Sequence, residues 1–185
     1  MANVYGTSGA DTKSGGNAAD YVSGGLNGNE AADTGADSLV GLGGNDTIYG
    51  WGGADTLDGG SGFDWLYGGN DNDLLTDSGD GGYLYGDAGD DTITAANTGT
   101  LVYTYLTAYG GTGADSISAT GSGLDGVYGA HLYGENGDDT ISGSGAGDYL
   151  SGGNNNDSLA GNNGDDTISG DAGSDTLDGG AGNDY

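Results

Sequence analysis

Gly152-Gly153-Asn154-Asn155-Asn156-Asp157-Ser158-Leu159-Ala160, Gly161-Asn162-Asn163-Gly164-Asp165-Asp166-Thr167-Ile168-Ser169 and Gly170-Asp171-Ala172-Gly173-Ser174-Asp175-Thr176-Leu177-Asp178 are three nine-residue units laid end to end. Each has a glycine-rich half that closes on an aspartate at the sixth place, then a short half with one aliphatic residue at the eighth. Glycine permits the tight, partly left-handed turns such a half needs. One aliphatic residue flanked by polar ones is the shortest period-2 strand. The unit therefore reads as loop, then strand.

Working outward, the sixth-place aspartates are Asp11, Asp20, Asp37, Asp46, Asp55, Asp64, Asp73, Asp91, Asp115, Asp139, Asp148, Asp157, Asp166, Asp175 and Asp184. Most steps are nine residues; Asp20 to Asp37 is 17, Asp73 to Asp91 is 18, and Asp91 to Asp115 and Asp115 to Asp139 are 24 each. Eighteen is two units, and 24 is two units with a six-residue insertion. The 17 reads as a nine and an eight, with Gly24 to Ala31 as the short unit and Asn29 in the ligand place. The eighth places are Lys13, Val22, Ala31, Leu39, Ile48, Leu57, Leu66, Leu75, Leu84, Ile93, Ile117, Ile141, Leu150, Leu159, Ile168 and Leu177. A strand this short buries nothing alone, but copies stacked on copies make a continuous thin core. The pattern predicts an all-β solenoid, one unit over residues 1–185 with no internal boundary.

Composition without that periodicity describes a disordered polyanion: 46 glycines, no proline, one Lys or Arg and a formal net charge of -28 in 185 residues. The charge excludes nucleic acid as a partner, which needs basic patches, and no segment has the length and apolarity for membrane insertion. It calls for cations. With no cysteine, a metal here has to be a hard ion held by oxygen.

Gly59-Gly60-Ser61-Gly62-Phe63-Asp64-Trp65-Leu66-Tyr67 matches the pattern Gly-Gly-x-Gly-x-Asp-x-U-x in full, U being aliphatic, and Asn70-Asp71-Asn72-Asp73 and Gly164-Asp165-Asp166-Thr167-Ile168 are close variants. The chain thus resembles the calcium-binding nonapeptides of the repeats-in-toxin (RTX), or hemolysin-type, family along nearly its whole length. The resemblance implies a right-handed parallel β-roll with two nonapeptides per turn, about ten turns at this length, and Ca2+ between successive loops on each edge. The sixth-place aspartates are then metal ligands, joined by backbone carbonyls because calcium takes six to eight oxygens. Alternate assignment puts Asp20, Asp37, Asp55, Asp73, Asp91, Asp115, Asp139, Asp157 and Asp175 on one edge, and Asp11, Asn29, Asp46, Asp64, Asp148, Asp166 and Asp184 on the other. About ten calcium ions follow, and metal binding becomes folding energy. A metal-free glycine-rich solenoid whose aspartates only form Asx turns is the alternative, and stacked carboxylates without counterions argue against it.

The second edge loses its ligand where Gly82 stands for aspartate and through two insertions, read as irregular tyrosine-rich segments over 95–109 and 119–133. This stretch gathers Tyr83, Tyr85, Tyr103, Tyr105, Tyr109, Tyr128 and Tyr133, with Trp65, Tyr67, Tyr49 and Tyr149 on flanking strands. Two readings stand side by side: cross-strand packing, or a surface that binds polysaccharide or a surface protein. The opposite face carries Ser38, Thr56, Leu74, Thr92, Ser116, Thr140, Ser158 and Thr176, an exposed hydroxyl file that also raises ice binding as a weaker reading. His131 is the one histidine and falls in an insertion; no constellation points to an enzyme.

Lys13 occupies an aliphatic place, as an inward charge that blocks stacking or as a partner for the acidic end of a neighbouring copy. Because both ends of the repeat look open, head-to-tail self-association into a filament, matrix or cell-surface structure is an expectation. Sites of extracellular type, with dissociation constants of ~10⁻⁴ to 10⁻³ M, stay empty in a cytosol. The chain is therefore expected to fold outside the cell, and the opening Met1 to Gly6 offers no cleaved signal peptide. The resemblance suggests type I secretion.

Overall fold

The computed structural model describes residues 2–25, 33–79, 81–96, 106–121 and 129–185. Every regular element among them is a β-strand, and consecutive strands alternate between two nine-stranded sheets. Odd-numbered strands, from β1 (Asn3–Tyr5) to β17 (Thr167–Ala172), form one sheet; even-numbered strands, from β2 (Thr12–Ser14) to β18 (Thr176–Asp178), form the other. Each strand pairs in parallel with the strand one coil away, as Ile48 with Leu66 and Leu57 with Leu75. A parallel pair needs a crossover, and here the crossover is two loops and a strand of the opposite sheet. The chain is a parallel β-roll.

The core is the eighth-place column of each sheet. Leu39, Leu57, Leu75, Ile93, Ile117, Ile141 and Leu159 face Val22, Ile48, Leu66, Leu84, Ala108, Leu132 and Leu150, all buried. Ala108 and Leu132, which follow the insertions, keep the second column continuous. Two aliphatic side chains per coil leave the loops to supply much of what holds neighbouring coils together. Lys13 stands in register with Leu39, and its Nζ lies 3.4 Å from Asp11 Oδ1. Its charge is therefore met within its own coil.

Two expectations need correction. Thr12 pairs with Ser38 and Tyr21 with Thr47, so one coil is 26 residues long instead of two half-coils being gained. The short unit centred on Asn29 lies outside the described residues. Asp11 and Asp20 consequently exchange edges. The segments 95–109 and 119–133 are also partly regular: β10 (Thr92–Ala96) and β12 (Ser116–Thr120) run into them, and β11 (Leu106–Thr112) and β13 (His131–Asn136) run out. The hydroxyl file is as expected, one register column from Ser38 to Thr176.

Candidate metal centres

Each sixth-place aspartate has two different oxygens. Oδ1 accepts the backbone N–H of the matching residue one coil earlier, at 2.7–3.0 Å along Asp11, Asp37, Asp55, Asp73, Asp91, Asp115, Asp139, Asp157 and Asp175. The other edge has the same ladder from Asp20 through Asp46 to Asp64, and again from Asp148 through Asp166 to Asp184. Oδ1 is a structural atom.

Oδ2 is buried and has no hydrogen-bond partner at Asp37, Asp46, Asp55, Asp64, Asp73, Asp91, Asp115, Asp139, Asp157 and Asp166. A buried acceptor without a donor costs ~1–3 kcal/mol, more when charged, so ten in phase demand a ligand. The surroundings fit a hard cation. The first glycine of each loop leaves room that a Cβ would fill: at Gly41 and at Gly50 it would stand 2.5 Å from the carbonyl oxygen of Gly59 and of Gly68 in the next coil, and closer still to Oδ2 of Asp46 and of Asp55. Among the described residues no three carboxylate or imidazole side chains converge, so backbone carbonyls have to complete each shell, as calcium allows.

The second residue of these loops is held at positive φ whatever its side chain: Leu42, Trp51, Asp87, Glu135, Asn162 and Asp171 lie between 63° and 78°. For bulky residues that region is strained. Where the second residue is Thr7, Gly16 or Ser144, φ is not positive, and its N–H donates to Oδ2 of Asp11, Asp20 or Asp148 at 2.6–2.7 Å. In these loops the left-handed turn keeps the N–H away and Oδ2 open; Asp37 Oδ2 is open although Gly25, in the same place, is not at positive φ.

Burial leaves the open carboxyls poor acids in the absence of metal. It pushes Asp37, Asp64, Asp91, Asp115 and Asp139 up to about 6, Asp55 to about 7 and Asp73 to about 8, each opposed by the ladder hydrogen bond to Oδ1. Asp11 and Asp20 go the other way, held down by hydrogen bonds from Thr7 and from Ala2. A divalent cation at the open Oδ2 atoms offsets the same cost that protonation does.

The sequence profile described as RTX calcium-binding nonapeptide repeat (4 copies) matches residues 3–29, 32–66, 52–82, 125–159 and 151–185. The chain belongs to the RTX calcium-binding nonapeptide repeat family. RTX nonapeptides bind Ca2+, which makes this a calcium-binding structural repeat. Neither the curated proteins nor the solved structures offer a match.

The RTX matches leave 83–124 uncovered, and there the second edge is interrupted. The ligand place passes from Gly82 to Leu106 and Ala130, and Leu106 and Ala130 are buried. Asp11, Asp175 and Asp184, in the end coils, are less buried than the other RTX aspartates. Two buried aspartates escape the sixth-place rule. Asp77 replaces a first glycine, and its Oδ2 lies 2.9 Å from where a Cβ on Gly82 would stand. Asp33 has its Oδ2 3.4 Å from where a Cβ on Gly25 would stand. Neither has a periodic signal that would find it.

The aromatic side chains form a ladder on the outer face of the odd-numbered sheet. Tyr49, Tyr67, Tyr85, Tyr109 and Tyr133 stack with centroids 4.6–5.1 Å apart and planes within 9°. Tyr21 and Tyr5 extend it at one end and Tyr149 at the other through tilted contacts of 5.5–5.6 Å. Trp65 and Tyr83 make a second, shorter stack at 6.3 Å. Burial, then the neighbouring phenols, raises the hydroxyls of Tyr21, Tyr49 and Tyr85 above their ordinary value. Tyr103, Tyr105 and Tyr128 lie outside the described residues. His131, exposed, packs on Tyr149.

Proposed function

We propose that this chain is a secreted structural rod whose folding is switched by calcium, with about ten ions bound along its two edges. The observation that carries this reading is the file of buried Oδ2 atoms without protein donors, with a glycine carbonyl of the next coil nearby at Asp37, Asp46, Asp55, Asp73, Asp91, Asp115, Asp139 and Asp166. The half-site recurs from coil to coil along the edge of Asp37 to Asp157, so ions between coils link neighbours that share only two aliphatic side chains. A site of one carboxylate plus carbonyls suits the weak, extracellular class of calcium affinity, ~10⁻⁴ to 10⁻³ M. Type I secretion, the usual route of RTX repeat proteins, fits a chain that stays unfolded until it meets such calcium.

The tyrosine face supports a packing role more than a glycan or protein platform. Stacked rings spend their faces on one another, leaving edges and hydroxyls to solvent. The notch beside them, between Asp87 and Glu135 over Gly111, holds about 210 Å³, below the ~300–1,000 Å³ of ordinary ligand sites. Leu177 in β18 is 49% exposed, and a second copy stacking head to tail would cover it, which keeps filament assembly as part of the proposal. Elemental analysis of protein equilibrated in millimolar calcium tests the central reading. About ten ions per chain is the expected result, and fewer than about three would contradict it.

A further inference from the structure

Asp33 is out of phase with every other buried aspartate on its edge. It is 5% exposed, and its Oδ1 accepts the Gly35 N–H at 3.1 Å, which fixes the direction of the carboxylate. Its Oδ2 is buried without a hydrogen-bond partner, as is that of Asp37. The two open oxygens lie against adjacent glycines. Asp37 Oδ2 lies against Gly24, where a Cβ would also stand 2.9 Å from the Gly50 carbonyl oxygen, and Asp33 Oδ2 lies 3.4 Å from where a Cβ on Gly25 would be.

We propose that Asp33 and Asp37 form a two-carboxylate calcium site with the Gly24–Gly25 turn and the Gly50 carbonyl, tighter than the one-carboxylate sites of the regular repeat and the first to fill. The proposal rests on the calcium-binding reading of the loops. Two acidic oxygens directed at one glycine turn repel each other without a cation. Affinity in oxygen-ligand sites rises with the number of charged ligands. The site also sits where the 26-residue coil breaks the repeat, so an ion there closes the longest loop-containing coil at that edge. Early closure would give later coils a template.

Trp51 reports on this site. Its ring Cδ1 is 2.9 Å from where a Cβ on Gly25 would stand, and its Nε1–H donates to Ser23 Oγ at 2.9 Å. In a Trp65→Phe background Trp51 is the one remaining tryptophan. Its fluorescence is followed through a calcium titration of the full chain, beside far-UV circular dichroism, for the parent, for Asp33→Asn and for Asp178→Asn. Asp178 is exposed in the last coil, far along the chain, and serves as the control for losing one charge. Asp33→Asn is expected to raise the Trp51 midpoint roughly tenfold or more, with Asp178→Asn unchanged. Equal midpoints for the two variants would overturn the proposal. If Asp33→Asn does not fold at any calcium concentration, the parent decides: a Trp51 change at lower calcium than the ellipticity change supports the proposal, and one that coincides with it or follows it overturns the proposal. Absence of any calcium response in the parent, by either signal, would instead remove the calcium reading on which the proposal stands.

Discussion

Gly50→Ala adds one methyl group beside the open Asp55 Oδ2 and removes no oxygen atom. Gly50 does not adopt positive φ, so alanine fits its backbone conformation and the effect is confined to space. The new Cβ would lie 2.5 Å from the Gly68 carbonyl oxygen, and nearer still to Asp55 Oδ2, where ordinary contact begins at 3.4 Å. Gly68 is backbone in β7 (Asp64–Asn70), held in register on both sides, and cannot retreat by that much. Overpacking costs ~1–3 kcal/mol. Excluding an ion present at 100 times its dissociation constant forfeits ~2.7 kcal/mol more. Together the calcium-loaded fold should lose roughly 4–6 kcal/mol. Calorimetric calcium titration should also count about one ion fewer. Gly9→Ala is the matched control, because a Cβ there meets nothing within 4 Å. If the two variants bind the same number of ions with the same midpoint, Gly50 does not border a metal site and the half-site geometry is wrong.

Stability without metal should depend on pH with a defined sign. Asp55 at about 7 and Asp73 at about 8 lie above the unfolded value of 3.8, so the folded, metal-free chain binds more protons than the unfolded chain across that window, and its stability falls as pH rises from about 4 to about 8. Circular dichroism in excess chelator should show more β-structure near pH 5 than at pH 8, and the reverse slope would contradict the burial of these carboxyls. Leu66→Ala, in the fully buried column, should cost ~2–5 kcal/mol by denaturant unfolding in calcium. Tyr85→Ala, which loses the stacks at 4.9 and 5.1 Å to Tyr67 and Tyr109, should cost ~1–3 kcal/mol. Tyr85→Phe should be close to neutral, and the number of bound ions should change in neither variant.

The nine-residue phase was enough to place the strands, because one aliphatic per unit has one way to face inward and eighteen residues return the chain to the same sheet. It placed Leu39 above Leu57 and Ile93 above Ile117 as the structure has them. The spacing of 17 was less informative than it looked. Eight residues can be a short half-coil or an excursion from one loop, and only strand register, Tyr21 against Thr47, separates the two. Side-chain chemistry was legible for Oδ1 and Oδ2 as a carboxylate and not as two atoms with different tasks. Whether Oδ2 is open depends on where the N–H one place after the first loop residue points: that of Gly16 closes it at Asp20, and Gly60 and Gly69, at positive φ, leave it open at Asp64 and Asp73. Asp33 and Asp77 were invisible because burial, and not phase, marks them. The tyrosines were found as a group; that they spend their faces on each other follows from the strand spacing of ~4.8 Å, which brings in-register rings into stacking distance.

Circular dichroism of the full chain at pH 8, first in millimolar calcium and then in excess chelator, tests the central claim most directly, since that pH lies above the values of Asp37, Asp55, Asp64, Asp91, Asp115 and Asp139, whose protons then no longer substitute for metal. A β-rich spectrum in calcium that collapses to that of an unfolded chain on chelation, and returns when calcium is restored, is the predicted result. A β-rich spectrum that persists in chelator at pH 8 would contradict it.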